Sequence, residues 1–111
     1  MYAQLTYFDG PRTPQQTAAS DFAGRERITP AVSKLGHPFH VYLLRRQDGA
    51  EVVLTIAESE QALLDAQKAI MGTELLPGED PALLPGPDRI EIYPVIGTHE
   101  INQADETGSR P

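Results

Sequence analysis

The segment from Tyr2 to Phe8 carries three aromatic residues, with Leu5 and Thr6 among them. That composition suits a pleated surface and predicts a strand. Asp9-Gly10-Pro11-Arg12 breaks it with turn chemistry. From Thr13 the period changes. Ala18, Ala19, Phe22 and Ala23, and further on Ala31, Val32 and Leu35, fall on one broad face at helical spacing, while Asp21, Arg25 and Glu26 take other faces. Thr13 and Gln16 have the spacing of a capping box, with Pro14 at the first helical position. Gly24 costs this helix about 1 kcal/mol relative to alanine. Pro30 would leave the carbonyl of Glu26 without its partner. The expectation is a kink near Thr29, or two helical pieces, closed by Gly36.

Two further β-rich runs, 39–46 and Glu51–Ala57, are joined by a turn containing Asp48-Gly49, the strongest hairpin signal in the chain. Ser59 then caps a second helix running to about Gly72, with Ala62, Leu63, Ala66, Ala69 and Ile70 as its apolar stripe. Residues 73–88 hold four of the ten prolines and cannot stay regular for long. Residues 89–95 predict the last strand. The order β-α-β-β-α-β is ferredoxin-like, an α+β fold in which right-handed crossovers place both helices on one face of an antiparallel sheet. Residues 1–96 form the domain, and residues 97–111 a polar C-terminal tail or an arm that orders against a partner.

The strand patterns carry a consequence. Phe39, Val41 and Leu43 alternate with Tyr42 and Leu44; Val52, Leu54 and Ile56 with Val53 and Thr55; Ile90 and Ile92 with Tyr93 and Val95. Both faces are apolar or aromatic, and helices cover only one. A bare apolar sheet face exceeds what monomers usually tolerate. A second copy packed sheet to sheet, a homodimer, is the simplest cover.

Charge and composition narrow the partners. Sixteen acidic residues against nine basic ones give a net charge of −7, which argues against a global grip on nucleic acid or anionic membranes. There is no cysteine, so disulfides and thiol chemistry are excluded. The N-terminal residues lack the pattern of a signal peptide, and the expected compartment is the cytoplasm.

The chain resembles the dimeric α+β barrel superfamily, especially its antibiotic-biosynthesis-monooxygenase-like members. The resemblance is carried by Val52-Val53-Leu54-Thr55-Ile56-Ala57-Glu58-Ser59-Glu60-Gln61-Ala62-Leu63, with support from Gly24-Arg25-Glu26-Arg27-Ile28-Thr29-Pro30-Ala31 and residues 36–45. It covers roughly residues 2–96, as a likeness of pattern and order. It implies a dimeric barrel with an apolar cavity between helices and sheet. It also implies one of several activities, among them oxygenation of phenols without a cofactor, or a non-catalytic binding or stress-related accessory role. Many oxygenase-like members have a tryptophan where this chain has Ala57. Haem-degrading members have a histidine where it has Asp65-Ala66-Gln67-Lys68. The resemblance therefore does not carry haem chemistry with it, and no cofactor is expected.

The candidate chemistry is sparse. His37 and His40 flank Pro38-Phe39, an i, i+3 pair that converges poorly on a metal. His40 is the candidate general base, since an imidazole titrates near neutrality. Tyr7 and Tyr42 are the candidate donors to a substrate oxygen, with packing as the alternative role for a strand tyrosine. Arg45-Arg46 ends the second strand and could hold a carboxylate, or form a solvated face. Arg25, Glu26 and Arg27 read as a solvated cluster with an Asp21–Arg25 helical pair, and Glu79 as loop solubility. Leu75-Leu76-Pro77 and Leu83-Leu84-Pro85 suggest a loop folded onto the domain, as a lid or as a static clasp. The reading that follows is a cofactor-independent monooxygenase-like enzyme for an apolar or aromatic small molecule. The alternative is a non-catalytic dimeric small-molecule binder or accessory protein.

Overall fold

A computed structural model describes residues 1–102. Four strands, β1 (Tyr2–Phe8), β2 (Phe39–Arg45), β3 (Glu51–Ala57) and β4 (Arg89–Pro94), form one antiparallel sheet in the order β2-β3-β1-β4. Helices α1 (Pro14–Ala23) and α3 (Glu60–Met71) supply the two crossovers. This is an α+β arrangement compatible with a ferredoxin-like fold. Among the described residues no helix is long and apolar enough to cross a membrane. The part of the expected tail beyond residue 102 lies outside the described residues.

Local chemistry explains where the elements begin. Thr13 accepts from the Gln16 backbone N–H at 3.1 Å, and the Gln16 side chain accepts from the Thr13 N–H at 2.8 Å, which completes the capping box. The Ser59 hydroxyl accepts from Ala62 N at 3.1 Å at the start of α3. Gly49, in the hairpin turn, has φ +90, and a Cβ there would lie 2.6 Å from the carbonyl oxygen of Arg12. Only glycine fits that conformation and that approach.

The break in the first helix is a change of winding rather than two separated pieces. A π-helical turn, Gly24–Ile28, links α1 to a short α2 (Thr29–Ser33), and Thr29 N donates to the carbonyl of Gly24. Pro30 has no N–H, so the turn before it lacks one ordinary donor. The wider turn absorbs the defect and advances the side chains that follow.

Ala57, Ala62 and Leu63 form the buried centre, with Tyr2, Phe39 and Ile92 packed against it. That contact identifies the helix-covered face of the sheet. The register places His40, Tyr42 and Leu44, Val52, Leu54 and Ile56, Ala3, Leu5 and Tyr7, and Arg89, Glu91 and Tyr93 on the opposite face, where none of the helices among the described residues packs. Between Phe39 and Arg45 the edge strand β2 is exposed on both sides. Val41 and Leu43, on the helix side, are 54% and 63% exposed; Tyr42 and Leu44, on the other, are 53% and 52% exposed.

Candidate functional site

Strand alternation decides what each candidate side chain can reach. His40, Tyr42 and Tyr7 all project from the uncovered face. They do not converge. His40 is level with Ala3 across β3, and Tyr7 lies four residues farther along and two strands across. That separation is about 16 Å between Cα positions, and Tyr42 to Tyr7 is about 12 Å. A single small molecule cannot take its proton transfer from His40 and a hydrogen bond from Tyr7 at one reacting atom.

His40 lines a shallow cleft of about 260 Å³ with Met1, Pro38, Ile56, Ala57 and Glu58. Its imidazole engages no other side chain among the described residues. The neighbouring His37 does. Its Nδ1 lies 3.6 Å from Glu58 Oε1, and its ring meets Phe39 edge-on with centroids 6.4 Å apart. Of the two histidines the sequence pairs, His40 is thus the one left available as a base. Among the described residues no three metal-ligating side chains come together.

Tyr7 is flanked by charge. The Glu91 carboxylate near its hydroxyl, with some burial, holds the phenol above its ordinary pKa. The Arg89 guanidinium stacks 3.8 Å from its ring centroid and reaches Asp9 at 3.1 Å. Tyr42 stands exposed on the edge strand.

A second cleft, about 470 Å³, opens at the hairpin end of the same face. Leu44, Val52 and Tyr7 form its floor, and Arg46, Asp48, Asp9 and Arg89 stand around it. The first cleft takes His40 and Ile56 from the uncovered face; the second takes Tyr7, Leu44 and Val52 from it, with Phe8, Arg45 and Glu51 from the helix-covered side at the hairpin end. The cavity expected between helices and sheet is not where either of them lies; fully buried Leu63 packs into that layer, and Gln67 Nε2 donates to Gln4 Oε1 at 2.7 Å across it.

Two buried charge clusters were not legible in the sequence. Glu51, 4% exposed at its side chain, accepts from Arg12 Nη2 at 3.1 Å and from Arg45 Nε at 2.8 Å, and Arg12 Nε donates to the Gly49 carbonyl at 2.9 Å. Arg45 continues to Asp21 in a two-pronged contact at 2.6 and 3.2 Å, which lowers the pKa of that carboxyl and raises the pKa of the guanidinium. The expected Asp21–Arg25 helical pair is therefore not formed; Arg25 turns to Glu26 at 3.1 Å.

The other cluster fastens the proline-rich loop. Arg27, brought inward by the π-helical turn, donates from Nε to Glu79 at 2.8 Å and from Nη1 to Thr73 Oγ1 at 2.7 Å. Glu79 also accepts from Leu76 N at 2.8 Å. Its side chain is 2% exposed, so it is a buried anchor, not the solubilising charge read from sequence. The Arg27 bonds hold the Glu79 carboxyl below its ordinary pKa. Of the two roles expected for this loop, these contacts make it a clasp.

The chain matches no family model, and no curated protein matches it.

Proposed function

We propose that the chain acts as a homodimer joined through its uncovered sheet face and binds an apolar or aromatic small molecule beside His40, as a monooxygenase-like enzyme without a cofactor. The observation that carries this reading is an unengaged imidazole in a largely apolar cleft, on a sheet face whose β3 side chains are Val52, Leu54 and Ile56. In such a site His40 takes a proton from an electron-rich phenol or an acidic C–H. The carbanion adds dioxygen, the proton returns to the peroxide, and loss of water leaves the oxidised product. The protein supplies orientation and a water-poor surround. Cover by a second copy would provide that surround, since the single-chain cleft is shallow.

The second reading, a non-catalytic dimeric binder, is favoured by the distance between His40 and Tyr7 and by the Arg89 guanidinium stacked on the Tyr7 ring. Oxygen uptake with an anthrone-like substrate separates the two. The enzyme reading expects turnover by the wild type and a loss of about 100-fold or more in His40→Ala. Equal rates in both proteins remove His40 from the chemistry. Substrate binding without oxygen uptake selects the binder.

A further inference from the structure

Six arginines lie among the described residues, and five of them are ion-paired: Arg12 and Arg45 with Glu51, Arg25 with Glu26, Arg27 with Glu79, and Arg89 with Asp9. The exception is Arg46. In a chain of net charge −7, a guanidinium without a carboxylate partner is unusual, and it is the cation left open to an anion from outside. The register explains how it is left over. Arg45 points to the helix side and is consumed by Glu51 and Asp21; its neighbour alternates to the other face.

There Arg46 stands at the wall of the 470 Å³ cleft whose floor is Leu44, Val52 and Tyr7. The carboxylates around that cleft are engaged. Glu51 binds two arginines, Asp9 binds Arg89, and Asp48 Oδ1 accepts from Ala50 N at 3.0 Å. The lining charges sum to zero, with Asp48 held by a backbone N–H, and Arg46 is the guanidinium left without a carboxylate partner beside an apolar strip. We propose that this cleft binds a small aromatic monocarboxylate, its carboxylate on the Arg46 guanidinium and its ring on Leu44, Val52 and Tyr7. A planar guanidinium takes a carboxylate through two parallel hydrogen bonds, and the volume lies within the range of small-molecule pockets. A dianion would meet the rim carboxylates Asp9 and Asp48, so one charge is selected over two.

The proposal does not rest on the oxygenase reading, because His40 lines the other cleft. Calorimetric titration with 2-naphthoate, and with 2-naphthylmethanol as its neutral counterpart, tests it. The expected result is saturable binding of the carboxylate, with the alcohol weaker by about tenfold or more. Arg46→Gln should lose about the same factor. Arg25→Gln removes an equal charge on the helix side and should bind as the wild type does. The proposal is overturned if the alcohol matches the carboxylate, if Arg46→Gln keeps full affinity, or if 2-naphthoate gives no binding at millimolar concentration. A failed oxygen assay with intact naphthoate binding would sink the enzyme reading alone.

Discussion

Glu51 shows how one side chain organises its neighbourhood. It sits at the first position of β3 on the helix side, where an apolar residue would ordinarily be buried, and it takes arginines from two other segments. Arg12 in turn ties the turn after β1 to the hairpin, through its backbone N–H to Asp48 at 2.8 Å and its side chain to Gly49. Removing the carboxylate leaves Arg12, 7% exposed at its side chain, buried without a counter-charge. Glu51→Ala is therefore expected to destabilise the fold by about 3 kcal/mol in urea unfolding. A loss under about 1 kcal/mol would mean that water or a rearranged Asp21 replaces the carboxylate. Sequence spacing could not show this network, because Arg12–Glu51 spans 39 residues and Arg45–Asp21 spans 24. A lone Glu opening a strand reads as an exposed end. Arg46 was half legible for the same reason: the arginine pair is visible, but which member is consumed depends on strand parity and on a distant aspartate.

At the scale of elements, the signals that were legible are local ones. The capping box at Thr13, the Ser59 cap and the Asp48-Gly49 turn each act within a few residues, and each sits where its chemistry requires. The defect at Pro30 was legible too, but its form was not. A kink and a π-helical turn both solve a missing N–H, and the choice falls to what the turned side chain gains. Here the gain is Arg27 against Glu79, a contact spanning 52 residues. The clasp has a pH signature whose sign follows from the lowered pKa of Glu79. A carboxyl held below its unfolded value, about 4.3, stabilises the fold above that pH. The contribution is lost as pH falls through the folded pKa. Asp21, also lowered, adds in the same direction. Urea unfolding of wild type and Glu79→Gln should differ near pH 7 and draw together as the pH falls below about 4. A gap that stays constant down to about pH 3 would show that the carboxylate charge contributes nothing to the clasp.

For the whole molecule the question is what covers the sheet. The uncovered face spans four strands and three alternate positions, about 19 by 20 Å, or roughly 400 Å² in projection. Arg89 and Glu91 interrupt it on β4, so its apolar part lies within what an ordinary monomer carries. It also falls short of the roughly 800 Å² each partner gives to a stable interface. A dimer through this face alone would be weak, so the interface has to extend. The bare edge strand shows where: Val41 and Leu43 continue the apolar surface around the β2 edge to the helix side, and Ile96 projects beyond β4 with 98% of its surface exposed. Sedimentation velocity should find dimers at micromolar concentration. Tyr42→Lys, at a position exposed enough for a single chain to accept lysine, should give folded monomers, because a two-fold interface meets each new charge twice. Leu64→Lys, at an exposed position on the helix layer, should leave the dimer unchanged. Folded monomers of the wild type, or a Tyr42→Lys protein that still dimerises, would place the cover elsewhere. The shallow His40 cleft would then have no second wall to shield it from water, and the proton transfer assigned to His40 would lose its site.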